Sequence, residues 1–295
     1  MVTRRSWYLW SGLIGLAGRC QRWPQVNVEH MTAMKQARQR LPVVGAILLV
    51  LVFWMFMRSP DALWQWSAAA LVVTVMITLL SMNIATVSAG WWHALIPPLI
   101  LTPTSLALLL FAETSGRRWL VVAVTAAVVS LYWEQLRRAA WEPERQHSDE
   151  AQTIALFVRL VTVWLLGSFL YRLLLDPTIL PPAIAPWAFA GSTALVLAAV
   201  VLLDTGADWL RRYPPKANLY LVVVPLLVGE GFWVVNLLPV SPDAKAFLVG
   251  FVYYVLVSLE RAHLDGTLRT ALVRRYAYFA LAAFLGVLLT ARWLV

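Results

Sequence analysis

The chain has 295 residues, 61% of them hydrophobic and only 13% charged, with a mean hydropathy of +0.71. Soluble domains average roughly 45 to 50% apolar and about 25% charged, so a soluble enzyme, a disordered chain and a disulfide scaffold are excluded. An integral membrane protein is left, whose net charge of +9 is first a topology signal and not a nucleic-acid footprint.

Residues 1–40 are expected to form a cytoplasmic or interfacial segment, and residues 41–295 a transmembrane helical domain. Within the first, SWYLWSGLIGLAG at 6–18 is a short apolar stretch between Arg5 and Arg19. It is too short for a span and reads as an interfacial amphipathic helix. MKQARQRLPVVG, from Met34, also resembles an ordinary start of a membrane protein, so translation from Met31 or Met34 is a second reading. The single cysteine, Cys20, excludes an internal disulfide and a Cys-rich zinc site.

A helix needs about 20 apolar residues to cross a hydrocarbon core of roughly 30 Å, and charges mark its ends. LPVVGAILLVLVFWMFM, between Arg40 and Arg58, is span one. Residues 62–112 carry no Asp, Glu, Lys or Arg and make two spans, with the break between Ser88 and Trp92. Span four, bracketed by Arg118 and Glu134, covers Trp119 to Trp133 and is short enough to require help from flanking residues. Span five, Ala151 to Leu175, contains Arg159 and Arg172. Span six lies between Asp176 and Asp204, and its prolines at 181, 182 and 186 predict a regular helix only after Trp187. Spans seven to nine are expected at Ala217 to Leu238, Ala246 to Glu260 and Tyr276 to Ala291.

The fold class is thus all-α, a polytopic transmembrane bundle of about nine spans. With the amino terminus inside, 17 of the 24 Lys and Arg fall in inner segments, five fall outside, and Arg159 and Arg172 lie within span five. This asymmetry predicts an odd number of spans, with the amino terminus in and the carboxyl terminus out. Tryptophans near span ends, among them Trp64, Trp133 and Trp187, fit an interfacial belt.

Charges at bilayer depth are costly, about 2.5 to 3.5 kcal/mol on insertion scales, and each marks a candidate site. Glu230 stands near the middle of span seven, in PLLVGEGFW, where Pro225 and two flanking glycines predict local unwinding or a close neighbour. Two readings stand for it: a structural partner of Arg159 on span five, or part of a midplane transport or proton-relay site. Arg172 lies further toward the outer end. Asn83, Ser168 and Asn236 are candidate interhelical hydrogen-bonding groups. Asp204 and Asp208, one helical turn apart, could in principle hold Mg²⁺, but DTGADWLRR lacks further paired aspartates; helix termination and pairing with Arg211 and Arg212 is the expectation. No GxSxG, HExxH or Walker A motif occurs, so neither a catalytic residue nor a metal or cofactor is assigned, and the chain is read as leaning away from an enzyme.

GEGFWVVNLLP at 229–239, followed by VYYVLVSLERAHLDGTLRTALVRRY at 252–276, resembles the carboxyl-terminal region of uncharacterised multi-pass membrane proteins of candidate-phyla bacteria. The resemblance implies a bacterial inner-membrane protein and assigns no catalytic residue. The functional expectation is a non-catalytic binding or assembly component of an inner-membrane or envelope complex, with membrane lipids and membrane proteins as partners. The alternative is a small-molecule or lipid transporter with its site around Glu230.

Overall fold

In hydrocarbon every backbone N–H and C=O must be satisfied within its own segment or its barrel, and apolar runs without a strand period satisfy them as helices. The computed structural model describes residues 28–82, 91–141, 149–176, 181, 184–208 and 219–289. The described residues hold nine α-helices and no strand: α1 Val28–Arg58, α2 Leu63–Ser81, α3 Ile96–Leu110, α4 Ser115–Trp141, α5 Asp149–Leu175, α6 Ala185–Asp208, α7 Tyr220–Asn236, α8 Pro242–Leu264 and α9 Thr270–Leu289. Eight apolar helical segments are long enough to cross a membrane, and α7, at 17 residues, is shorter. The chain divides into two units, residues 1–39 and 40–295, and the packing below is that of the second. The apolar stretch at 6–18 lies outside the described residues.

Several boundaries differ from the expected ones. α4 is 27 residues long, about 40 Å at roughly 1.5 Å per residue, so it overruns the hydrocarbon core instead of falling short of it. Its charged last turns stay helical because Glu134 pairs with Arg137 at 2.7 Å and Arg138 at 2.8 Å, three and four residues on. α6 starts at Ala185, before Trp187, with Pro186 in the first turn, where a missing N–H costs nothing. α7 does not unwind at Pro225 or at its glycines; the helix is continuous across both.

The core has two apolar clusters. One gathers Leu49 and Phe53 of α1, Ala70 and Ile77 of α2, Leu101 and Leu106 of α3, and Val129 and Trp133 of α4. The other gathers Leu170 and Tyr171 of α5, Val200 and Leu203 of α6, Val228 and Phe232 of α7, and Val249 and Tyr253 of α8. Helix α5 contributes to both, and its most extensive contact is with α8. That contact is close because Gly167 and Gly250 keep the surfaces low: a Cβ on Gly167 would sit 3.2 Å from the Ala246 Cβ, and one on Gly250 3.4 Å from a Leu160 methyl.

Hydroxyls stitch the first cluster. Thr74 of α2 lies 3.1 Å from Thr102 of α3, Thr125 of α4 donates to Ser105 of α3 at 2.7 Å, and the Trp133 indole N–H donates to Thr78 at 2.9 Å. Trp133 is fully buried, so it is a core residue and not a member of the interfacial belt. Trp64 and Trp187, 85% and 79% exposed, face outward from the bundle. The outer surface is apolar in the opposite sense to a soluble protein's: α9 has no buried residue and exposes Phe279, Leu281 and Leu285, as a helix solvated by lipid does.

Candidate functional site

The intramembrane polar residues separate into a buried group, a partly buried group and one outward-facing carboxylate. Asn83 lies outside the described residues.

The first group joins α5, α6 and α8. The Arg159 guanidinium approaches an Asp204 carboxylate oxygen at 3.6 Å, and the same oxygen accepts from the Tyr253 hydroxyl at 2.8 Å. Arg159 Nε also donates to the Ala155 carbonyl at 3.2 Å. Both charged residues are buried, and Tyr253 is wholly inaccessible. The partner of Arg159 is therefore Asp204 and not Glu230, because the inner face of α5 meets α6 and α8 while Glu230 turns away from it. Asp204 is not the helix stop, since α6 continues to Asp208; Arg211 and Arg212, its expected partners, lie outside the described residues. The sequence marks Asp204 by its spacing from Asp208 but carries no local signal for Tyr253, one of two adjacent tyrosines in an otherwise apolar run.

The second group lies toward the other end of α5, 13 positions further along the helix and about 20 Å away at roughly 1.5 Å per residue. Arg172 donates to the Asp243 carboxylate at 2.6 Å, and the Trp164 indole N–H donates to the Asp243 carbonyl at 3.3 Å. Next to them the buried Lys245 ammonium donates to the Asn236 carbonyl at 2.7 Å and lies 5.8 Å from the centre of the Tyr171 ring. The Tyr171 hydroxyl in turn donates to the Phe232 carbonyl at 2.7 Å, with the two rings stacked at 4.5 Å. These contacts tie the carboxyl end of α7 to α5 and α8. The Lys245 ammonium thus caps the carboxyl end of α7 from inside the fold. Asn236 joins the group through its backbone. Its side-chain oxygen and the Ser168 hydroxyl make no hydrogen bond among the described residues, which corrects their expected role as interhelical donors or acceptors.

Glu230 is different. It is exposed, and no hydrogen bond or ion pair reaches it among the described residues. It sits 10 positions after Tyr220 and six before Asn236, about 15 Å and 9 Å from the helix ends at roughly 1.5 Å per residue. Val222, Leu226, Trp233 and Leu237 are exposed on the same stripe, at the three- and four-residue steps that align side chains on one helix face. The glycines beside it divide their roles. Gly229 faces α6, where a Cβ would come within 2.8 Å of Leu197, whereas Gly231 faces α8 with Val252 no nearer than 3.6 Å. The sequence expectation of a close neighbour at this motif is met by Gly229, and it is that packing which turns Glu230 outward.

Chemically, the Arg159–Asp204 and Arg172–Asp243 ion pairs act as clamps between helices. Among the described residues no group of three or more His, Cys, Asp or Glu could hold a metal ion. No family model, curated protein or solved structure matches the chain.

Proposed function

We propose that this chain is a non-catalytic, multi-pass component of an inner-membrane or envelope protein complex, and that it binds a partner's transmembrane helix along the outward stripe of α7. The observation that carries this reading is Glu230, a carboxylate exposed at mid-helix between Leu226 and Trp233. Facing lipid, a charge at this depth is strongly disfavoured, and polar side chains in spans normally turn to a partner or a watery cavity. Among the described residues the two arginines within spans, Arg159 and Arg172, are engaged with Asp204 and Asp243, which favours a complementary group from another chain. A membrane helix with an Arg, Lys or His at matching depth supplies the missing charge, and Trp233 supplies a large aromatic anchor beside it. The resemblance of residues 229–276 to bacterial membrane proteins supports placement in an inner membrane.

The test is site-specific photo-crosslinking in the source cells from position 226 or 233. The expected product is one cross-linked membrane protein whose linked peptide lies in a transmembrane segment with a basic residue, and Glu230→Leu should abolish it at unchanged protein yield. Cross-links to lipid alone, or a protein cross-link indifferent to Glu230→Leu, overturn the assignment. Lipid-only capture together with a Glu230-dependent flux would turn the reading to transport.

A further inference from the structure

Helix α9 meets the bundle along one seam. Its half-buried positions include Leu272, Tyr276, Ala280, Ala283 and Val287, three and four residues apart, as on a single helix face. Tyr276 stands edge-on to the Tyr254 ring of α8 at 6.2 Å, and Val287 packs on the second cluster. Off that seam Arg274 and Arg275 are exposed, as is Arg269 just before the helix. No hydrogen bond or ion pair reaches the three guanidiniums among the described residues. The sequence holds no Asp or Glu from Gly266 to Val295. On α8, Glu260 and Arg261 have contacts of their own, which leaves the exposed Asp265 as the nearest carboxylate along the chain. The patch is therefore positive. We propose that this flank of α9 binds an anionic phospholipid, its phosphate oxygens on Arg274 and Arg275 and its acyl chains on the apolar side chains that follow them.

The order of side chains along the helix carries the assignment to lipid. Arg274 is followed on its own face by Tyr278, Leu281 and Leu285, and Arg275 by Phe279, all four of them exposed. A cation, an aromatic ring one turn on and aliphatic groups beyond match the phosphate, ester region and acyl chain of a phospholipid in sequence. The depth agrees. Arg274 and Arg275 stand four and five residues after Thr270, where α9 begins, about 6 to 8 Å from the helix end at roughly 1.5 Å per residue.

Charge then selects among lipids. A guanidinium presents paired N–H donors to phosphate oxygens, and two neighbouring ones favour a headgroup of net negative charge. A zwitterionic headgroup would bring its own ammonium or choline into the same positive patch. An acidic peptide would answer the arginines but leave the stripe from Tyr278 to Leu285 uncovered.

The experiment is native mass spectrometry of the full chain with phosphatidylglycerol, phosphatidylethanolamine and phosphatidylcholine at equal concentrations. Phosphatidylglycerol should be retained preferentially by roughly 25-fold, about fivefold for each arginine at a lipid surface. Arg274→Gln with Arg275→Gln should erase that preference and leave the melting midpoint in lipid-free detergent unchanged, because neither side chain has a partner in the described fold. Arg58→Gln with Arg117→Gln removes the same charge from exposed positions elsewhere and should leave the preference intact. Should the first pair fail to fold, Arg274→Gln alone should lower the preference about fivefold. Equal retention of the three lipids, a preference that survives the α9 substitutions, or an equal loss in both double variants overturns the proposal. Competition by deacylated glycerophosphoglycerol at the concentration of the intact lipid overturns it as well, since the apolar stripe would then contribute nothing.

Discussion

Arg159, Asp204 and Tyr253 form a buried network in which a guanidinium on α5 and a hydroxyl on α8 meet one carboxylate oxygen on α6. Removing one member of such a pair strands the other in a medium that cannot solvate it, at a cost of about 3 to 5 kcal/mol. Asp204→Leu and Arg159→Met should each destabilise the chain on that scale. The double variant should lose clearly less than the sum, and Tyr253→Phe should lose about 1.5 to 3 kcal/mol, the worth of a hydrogen bond to a charged group. Unfolding in mixed micelles, read as a double-mutant cycle, checks all three; strict additivity would mean that the pair at 3.6 Å does not interact. The prediction for Glu230 runs the other way. Glu230→Leu should leave the isolated chain as stable as before, because no group of the described fold depends on that carboxylate.

At the scale of one helix, α7 shows how two glycines in the same motif differ. A Cβ at Gly229 would sit 2.8 Å from a Leu197 methyl and 3.3 Å from its Cγ, and one at Gly231 would meet nothing closer than 3.6 Å. Gly231→Ala should therefore be neutral or stabilising by up to about 1 kcal/mol, through helix propensity. Gly229→Ala should cost about 1 to 3 kcal/mol by overpacking against α6, and Leu197→Ala in the same chain should recover much of it. Thermal unfolding of the three variants measures both effects. The motif GEGFW announced a close approach in the sequence, yet it could not say which glycine makes it. Successive residues differ by about 100° around a helix, so only the position of α6 selects Gly229 and sends Glu230 outward.

For the whole molecule, the excess of Lys and Arg in alternate segments predicts which ends of the bundle share a side. In sealed vesicles of known orientation, in a Cys20→Ser background, cysteines at Thr114 and Leu237 should react with a membrane-impermeant maleimide from the outer side. One at Leu268 should react only after permeabilisation. Labelling of Leu237→Cys from the same side as Leu268→Cys would mean that the 17-residue α7 fails to cross. The helical membrane class of the molecule was legible from the chain alone, because bilayer thickness imposes a length and an apolarity that each segment must meet by itself, and eight described helices meet both. Helix ends were less legible where charged residues stayed helical, as at Glu134, Arg137 and Arg138, whose pairs lie within one helix. Polar partners were not legible at all. Asp204 and Tyr253 are 49 residues apart, and the choice of Asp204 over Glu230 for Arg159 depends on how α5, α6 and α8 are rotated about their axes. That rotation is set by the joint packing of side chains such as Leu203, Val249 and Gly250, which no single segment contains.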